Sequence, residues 1–131
     1  MSDSGFAESG TKAQIFGVTE VDGTPIRTSF GATAGASSGQ GFSITTRYLS
    51  RPVPAKPLKL KLKGSHQTGA PIHAIFSQAA GSFISVELTI EFTPAPEGLY
   101  VVKGELKKEG STLWIEDAVT GKAVKQRFTA Q

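Results

Sequence analysis

Histidines, hydroxyls and carboxylates are the side chains here that could carry chemistry, and histidine is scarce. The only two, His66 and His73, lie seven positions apart across Thr68-Gly69-Ala70-Pro71. A metal site would need both to converge with a third ligand and its supporting hydrogen bonds. No Asp or Glu occurs between Asp22 and Glu87, so neither histidine has a carboxylate close in sequence. The expectation is two neutral surface histidines and no metal. Cysteine is absent, which removes thiolate nucleophiles, disulfides and Cys-ligated zinc. Gly35-Ala36-Ser37-Ser38-Gly39 matches the spacing of a nucleophile elbow, but such an elbow joins a strand to a helix, and here the surroundings are only small residues. Glu116 and Asp117 are adjacent, so on a strand they point to opposite faces and cannot act as a carboxylate pair. Asp117 is expected to cap the Val119-Thr120 turn instead. The Gly35–Gly41 stretch lacks the Gly-Lys-Ser/Thr ending of a phosphate loop. These readings predict no enzyme activity and no cofactor.

Charge points elsewhere. The net charge is +3, and the stretch free of acids holds Arg27, Arg47, Arg51, Lys56, Lys59, Lys61 and Lys63. The last six form a candidate anion-binding set for a glycan, lipopolysaccharide or nucleic acid. The plainer expectation is that these bases are the solvent-facing side of strands. Nucleic acid is the less favoured partner, because Tyr48, the candidate base-stacking residue, shares its period with Phe42 and Ile44 and is expected to pack inside.

The elements that must position these residues have period two. Ile84, Val86, Leu88, Ile90 and Phe92 alternate with Ser85, Glu87, Thr89 and Glu91, which predicts a half-buried strand. Leu58 to Lys63 repeats the pattern. Further strands are expected over Gln14–Val21, Phe42–Tyr48, Pro71–Ser77, Leu99–Leu106, Thr112–Glu116 and Ala123–Phe128. Gly104 falls on the apolar face of its strand, which suggests a bulge or a close backbone approach. Asp22-Gly23, the two prolines of Thr93–Gly98, Lys108–Ser111 and Val119–Lys122 supply turns. Arg51–Pro57 holds three prolines and should be extended. Residues 1–10 read as a disordered leader. Residues 11–131 read as one domain with a mobile Gly/Ala/Ser/Thr loop at about 31–41 and no helix. The fold class is all-β: an antiparallel β-sandwich, Ig-like with seven or eight strands, with a small β-barrel as the alternative.

The run Glu91-Phe92-Thr93-Pro94, Glu97-Gly98-Leu99-Tyr100-Val101-Val102, Trp114-Ile115-Glu116-Asp117 and Thr120-Gly121 is similar to small lipoproteins and periplasmic β-sandwich proteins of Gram-negative bacteria. Asp22-Gly23 and Val53-Pro54-Ala55-Lys56-Pro57 extend the resemblance. It implies a non-enzymatic envelope protein, structural or binding, in the periplasm or anchored to the outer membrane once a signal segment is removed. An unprocessed chain would be cytoplasmic. The implied partner is an anionic polysaccharide or an envelope protein. Contact with a membrane would be only through a lipid anchor, which these residues do not carry, and a monomer is favoured over an oligomer.

Overall fold

The computed structural model describes residues 1–8, 10, 12–37, 44–68, 84–107, 110–124 and 128–130. These form eight strands and one helix: β1 (Ser4–Ala7), β2 (Lys12–Val21), β3 (Thr24–Pro25), α1 (Ser29–Ser37), β4 (Leu58–Thr68), β5 (Ser85–Phe92), β6 (Tyr100–Glu105), β7 (Ser111–Asp117) and β8 (Phe128–Ala130). All strand pairings are antiparallel and fall into two sheets. The first has the order β1-β2-β4-β5, with β3 also on β2; the second has the order β6-β7-β8. The sheets are not closed into a barrel, and the architecture is that of an all-β sandwich.

The period-two strands pack as their patterns require. Val86, Ile90 and Phe92 of β5 and Leu58, Leu60 and Leu62 of β4 are buried. They meet Val102, Leu113 and Ile115 of the second sheet in one core. The Phe16 ring lies between two glycines: a Cβ on Gly104 would sit 2.6 Å from it, and one on Gly64 would sit 3.0 Å from it. The expected close approach at Gly104 is therefore to a ring from the opposite sheet. Asp22 and Gly23 both have positive φ, 51° and 80°, as a tight turn between β2 and β3 requires. Asp117 Oδ1 accepts from the backbone N–H of Val119 at 2.8 Å and of Thr120 at 3.1 Å, the cap read from the sequence.

Three expectations are corrected. The expected leader is part of the fold: Ser4–Ala7 is a strand on β2, and Met1 and Asp3 are buried. Ser2 donates to the Tyr100 carbonyl and accepts from the Val102 N–H, so the N-terminal segment joins the two sheets. Its Ser and Gly residues hid a chain that pairs along its backbone. Second, the expected loop at about 31–41 holds α1 over Ser29–Ser37, which packs against β2. Residues 38–43 lie outside the described set. Third, residues 44–48 form no strand. They run extended beside α1, and Tyr48 is 41% exposed rather than packed inside. Of the expected strand Ala123–Phe128, residues 125–127 lie outside the described residues; Ala123 makes an isolated bridge to Glu116, and β8 spans Phe128–Ala130. The Pro71–Ser77 strand, His73, and Lys108-Glu109 of the β6–β7 turn lie outside the described residues.

The helix escapes a hydrophobic reading because its buried stripe is made of hydroxyls. Ser29, Thr33 and Ser37 recur every four residues and are buried. They accept from the backbone N–H groups of Leu49, Arg47 and Thr45, at 2.8, 2.9 and 2.8 Å. Four helical residues rise about 6.0 Å and two extended residues about 6.7 Å, so the two repeats stay in step over three rungs. The helix thus serves the extended segment as a neighbouring strand would.

Candidate ligand-binding surface

The structure disperses the six basic residues proposed from sequence. Lys59, Lys61 and Lys63 share the outward face of β4, an interior strand of its sheet. The antiparallel register sets Glu91 opposite Lys59 and Glu87 opposite Lys63 on β5, and Glu20 opposite Lys61 on β2. Lys61 Nζ lies 3.2 Å from Glu87 Oε2, and Lys63 Nζ lies 4.7 Å from the centre of the Phe30 ring. A stretch without acids in sequence is therefore laced with acids in space. Lys56 is exposed in the proline-rich segment.

Arg51 has an internal role. Its Nη1 and Nη2 each donate to the Asp3 carboxylate at 2.9 Å. The Asp3 side chain is fully buried. It also accepts from Ser29 Oγ at 2.5 Å and from the Val18 N–H at 3.2 Å. Gly17 leaves the room: a Cβ there would lie 2.6 Å from Asp3 Cγ. A fork of two parallel charge-assisted bonds is strong and directional. It ties the N-terminal segment to α1, β2 and the segment before β4.

His66 is buried, not on the surface, because its position on β4 faces inward beside Gln14 of β2. Glu8, distant in sequence, comes within 2.8 Å of His66 Nε2. The backbone N–H of Ile84 donates to Nδ1 at 2.9 Å. Nδ1 is therefore an acceptor, and Nε2 carries the proton that it donates to Glu8. Gln14 Nε2 donates to the same Glu8 oxygen at 2.6 Å. Burial pushes the Glu8 carboxyl up. Hydrogen bonds from Gln14 and His66, with the charge of Lys12, outweigh that and hold it below the ordinary carboxylate range. Both imidazole nitrogens are committed, which leaves this ring no lone pair for a general base or a metal. No cluster of three or more potential ligands gathers among the described residues.

Arg27, just before α1, and Arg47, in the extended segment beside it, line one open groove. Its other walls are Thr28, Leu49 and the small residues Gly31, Ala32, Gly35 and Ala36 of α1. None of these residues is acidic. Both arginines are exposed, and Arg47 Nη1 donates to the neighbouring Thr46 carbonyl at 3.1 Å. Thr28 Oγ1 caps the helix by accepting from the Gly31 N–H at 3.0 Å. The hydroxyl ladder fixes Arg47 against α1, since the Thr33 rung holds Arg47's own backbone. The sequence signal for this surface was the Ser29/Thr33/Ser37 spacing, which is invisible to a search for apolar periodicity.

Comparison of the chain with protein-family models, with curated proteins and with solved structures found no match. The functional reading therefore rests on the geometry and on the resemblance drawn from turn motifs.

Proposed function

We propose that this chain is a non-enzymatic binding module that holds an anionic polysaccharide along the Arg27–Arg47 groove. On the resemblance noted above, its setting is the bacterial envelope. The observation that carries the reading is the convergence of two exposed arginines, from separate segments, on a helix face of glycine and alanine with no carboxylate among the lining residues. Guanidinium groups match sulfate, phosphate and carboxylate oxygens in a planar fork. The lysines of β4 are a poorer choice, because Glu20, Glu87 and Glu91 stand among them.

The test is a binding titration with a sulfated oligosaccharide at several salt concentrations. Two neutralised charges on a flexible polyanion give a slope of log K against log salt near about −1.4. Arg27→Ala with Arg47→Ala should bring that slope close to zero. Replacing Lys59, Lys61 and Lys63 by Gln should leave it nearly unchanged. Unaltered binding by the arginine variant would overturn the assignment. Tighter binding of a DNA oligonucleotide of equal charge would replace the polysaccharide by nucleic acid.

A further inference from the structure

A second surface carries no arginine and has a different chemistry. Ser2 pairs with β6 in parallel, and the Ser4 hydroxyl donates to the Val102 carbonyl. From there the backbone of β1 pairs with β2 instead, and that Ser4 hydroxyl is its contact with the β6 backbone. Where the strands part, a cleft of about 250 Å³ opens. One aromatic ring comes from each sheet: Phe6 of β1, which is 50% exposed, and Trp114 of β7. The buried Phe16 also lines it, and Lys103 and Gly104 of β6 complete the wall.

The polar groups at this cleft are paired in a way that leaves little net charge. Lys103 Nζ lies 2.9 Å from Glu116 Oε2, and Trp114 Nε1 donates to Glu116 Oε1 at 3.4 Å. The cleft is smaller than the roughly 300 Å³ at which drug-sized sites begin. Its size suits one ring rather than a bulky ligand. What marks this place is that the exposed Phe6 ring and Trp114 line the same cleft, from opposite sheets. The rings and the paired Lys103 and Glu116 suit a small ligand with an apolar face and a polar edge.

We propose that this cleft binds a single neutral pyranose unit, with the sugar's C–H face against the Phe6 and Trp114 rings and its edge hydroxyls on Lys103 and Glu116. The proposal is independent of the arginine groove. High salt separates the two: at about 0.5 M NaCl the Debye length falls below about 5 Å, and arginine–polyanion binding weakens steeply while stacking of a neutral ring persists.

Trp114 is the only tryptophan in the sequence, so its fluorescence reports this cleft alone. The experiment titrates the full chain, in 0.5 M NaCl, with cellohexaose and separately with chitotetraose. A saturable change in Trp114 emission with at least one of them is expected. Phe6→Ala and Phe6→Leu should each weaken that binding by tenfold or more, with circular dichroism unchanged. Calorimetric titration of Trp114→Ala should show the same loss. No response to either sugar up to 20 mM (a working ceiling, as about 4 kcal/mol of binding corresponds to 1 mM) overturns the proposal. So does full binding by Phe6→Leu, which would mean that apolar area and not an aromatic face is what the site offers.

Discussion

Replacing Asp3 by Ala tests whether the N-terminal segment belongs to the fold. The carboxylate is fully buried and accepts from both Arg51 nitrogens, from Ser29 Oγ and from the Val18 N–H. Arg51 is itself only 15% exposed. Removing one partner of a buried ion pair leaves the other charge uncompensated, at about 3–5 kcal/mol. The stranded Ser29 hydroxyl and Val18 amide are part of that cost and are not added to it. A domain of this kind has about 5–15 kcal/mol in total. The loss is thus about a fifth of the stability or more. Urea unfolding at pH 7 reads it directly. With a slope near about 2 kcal/mol/M, the midpoint should fall by about 2 M. The double variant Asp3→Ala/Arg51→Met should recover part of the loss, because its cationic partner is gone as well. A midpoint for Asp3→Ala within about 0.3 M of the parent, corresponding to about 0.6 kcal/mol, is the behaviour of a dangling leader and would refute the reasoning.

Other expectations follow from single contacts. Glu8 has a lowered folded pKa against an ordinary value of 4.5. Its stabilisation is therefore complete above that value and is lost as pH falls through the folded one. Glu8→Gln should flatten the stability profile in that acidic window, and an unchanged profile would rule the linkage out. Gly104→Ala places a Cβ 2.6 Å from Phe16 Cδ1 and 2.7 Å from Leu113 Cδ2. Overpacking of this kind costs about 1–3 kcal/mol, and thermal unfolding of Gly104→Ala, alone and with Phe16→Leu, should show the second change relieving the first. Thr33→Val removes the middle rung of the hydroxyl ladder. The Arg47 amide should then exchange with solvent about tenfold faster or more, since the bond that protects it is gone.

What the sequence made legible was what alternation encodes. Leu58–Leu62 and Val86–Phe92 show a buried face and a wet face in their own residue order, and the turns between strands carry Gly, Pro or Asp where the backbone demands them. The double-sided burial of β2 was harder to read. Ala13, Ile15 and Phe16 are all buried, yet only Phe16 joins the core between the sheets; the others face the side on which α1 packs. That helix was missed because two glycines and a stripe of hydroxyls replace the apolar period, and its stability comes from bonds to residues 45–49. The polar clusters are long-range. Asp3 reaches Arg51 across 48 positions and Glu8 reaches His66 across 58. The surroundings of the candidate lysines were hidden for the same reason, since strand register brings acids from β2 and β5 beside them.

The most direct test of the account follows backbone amide resonances while a sulfated tetrasaccharide is added at low salt. Saturable shifts are expected for Gly31, Ala32, Gly35 and Arg47, which are among the residues lining the groove, with β4 largely still. Shifts concentrated on Lys59, Lys61 and Lys63, with the α1 amides unmoved, would contradict it.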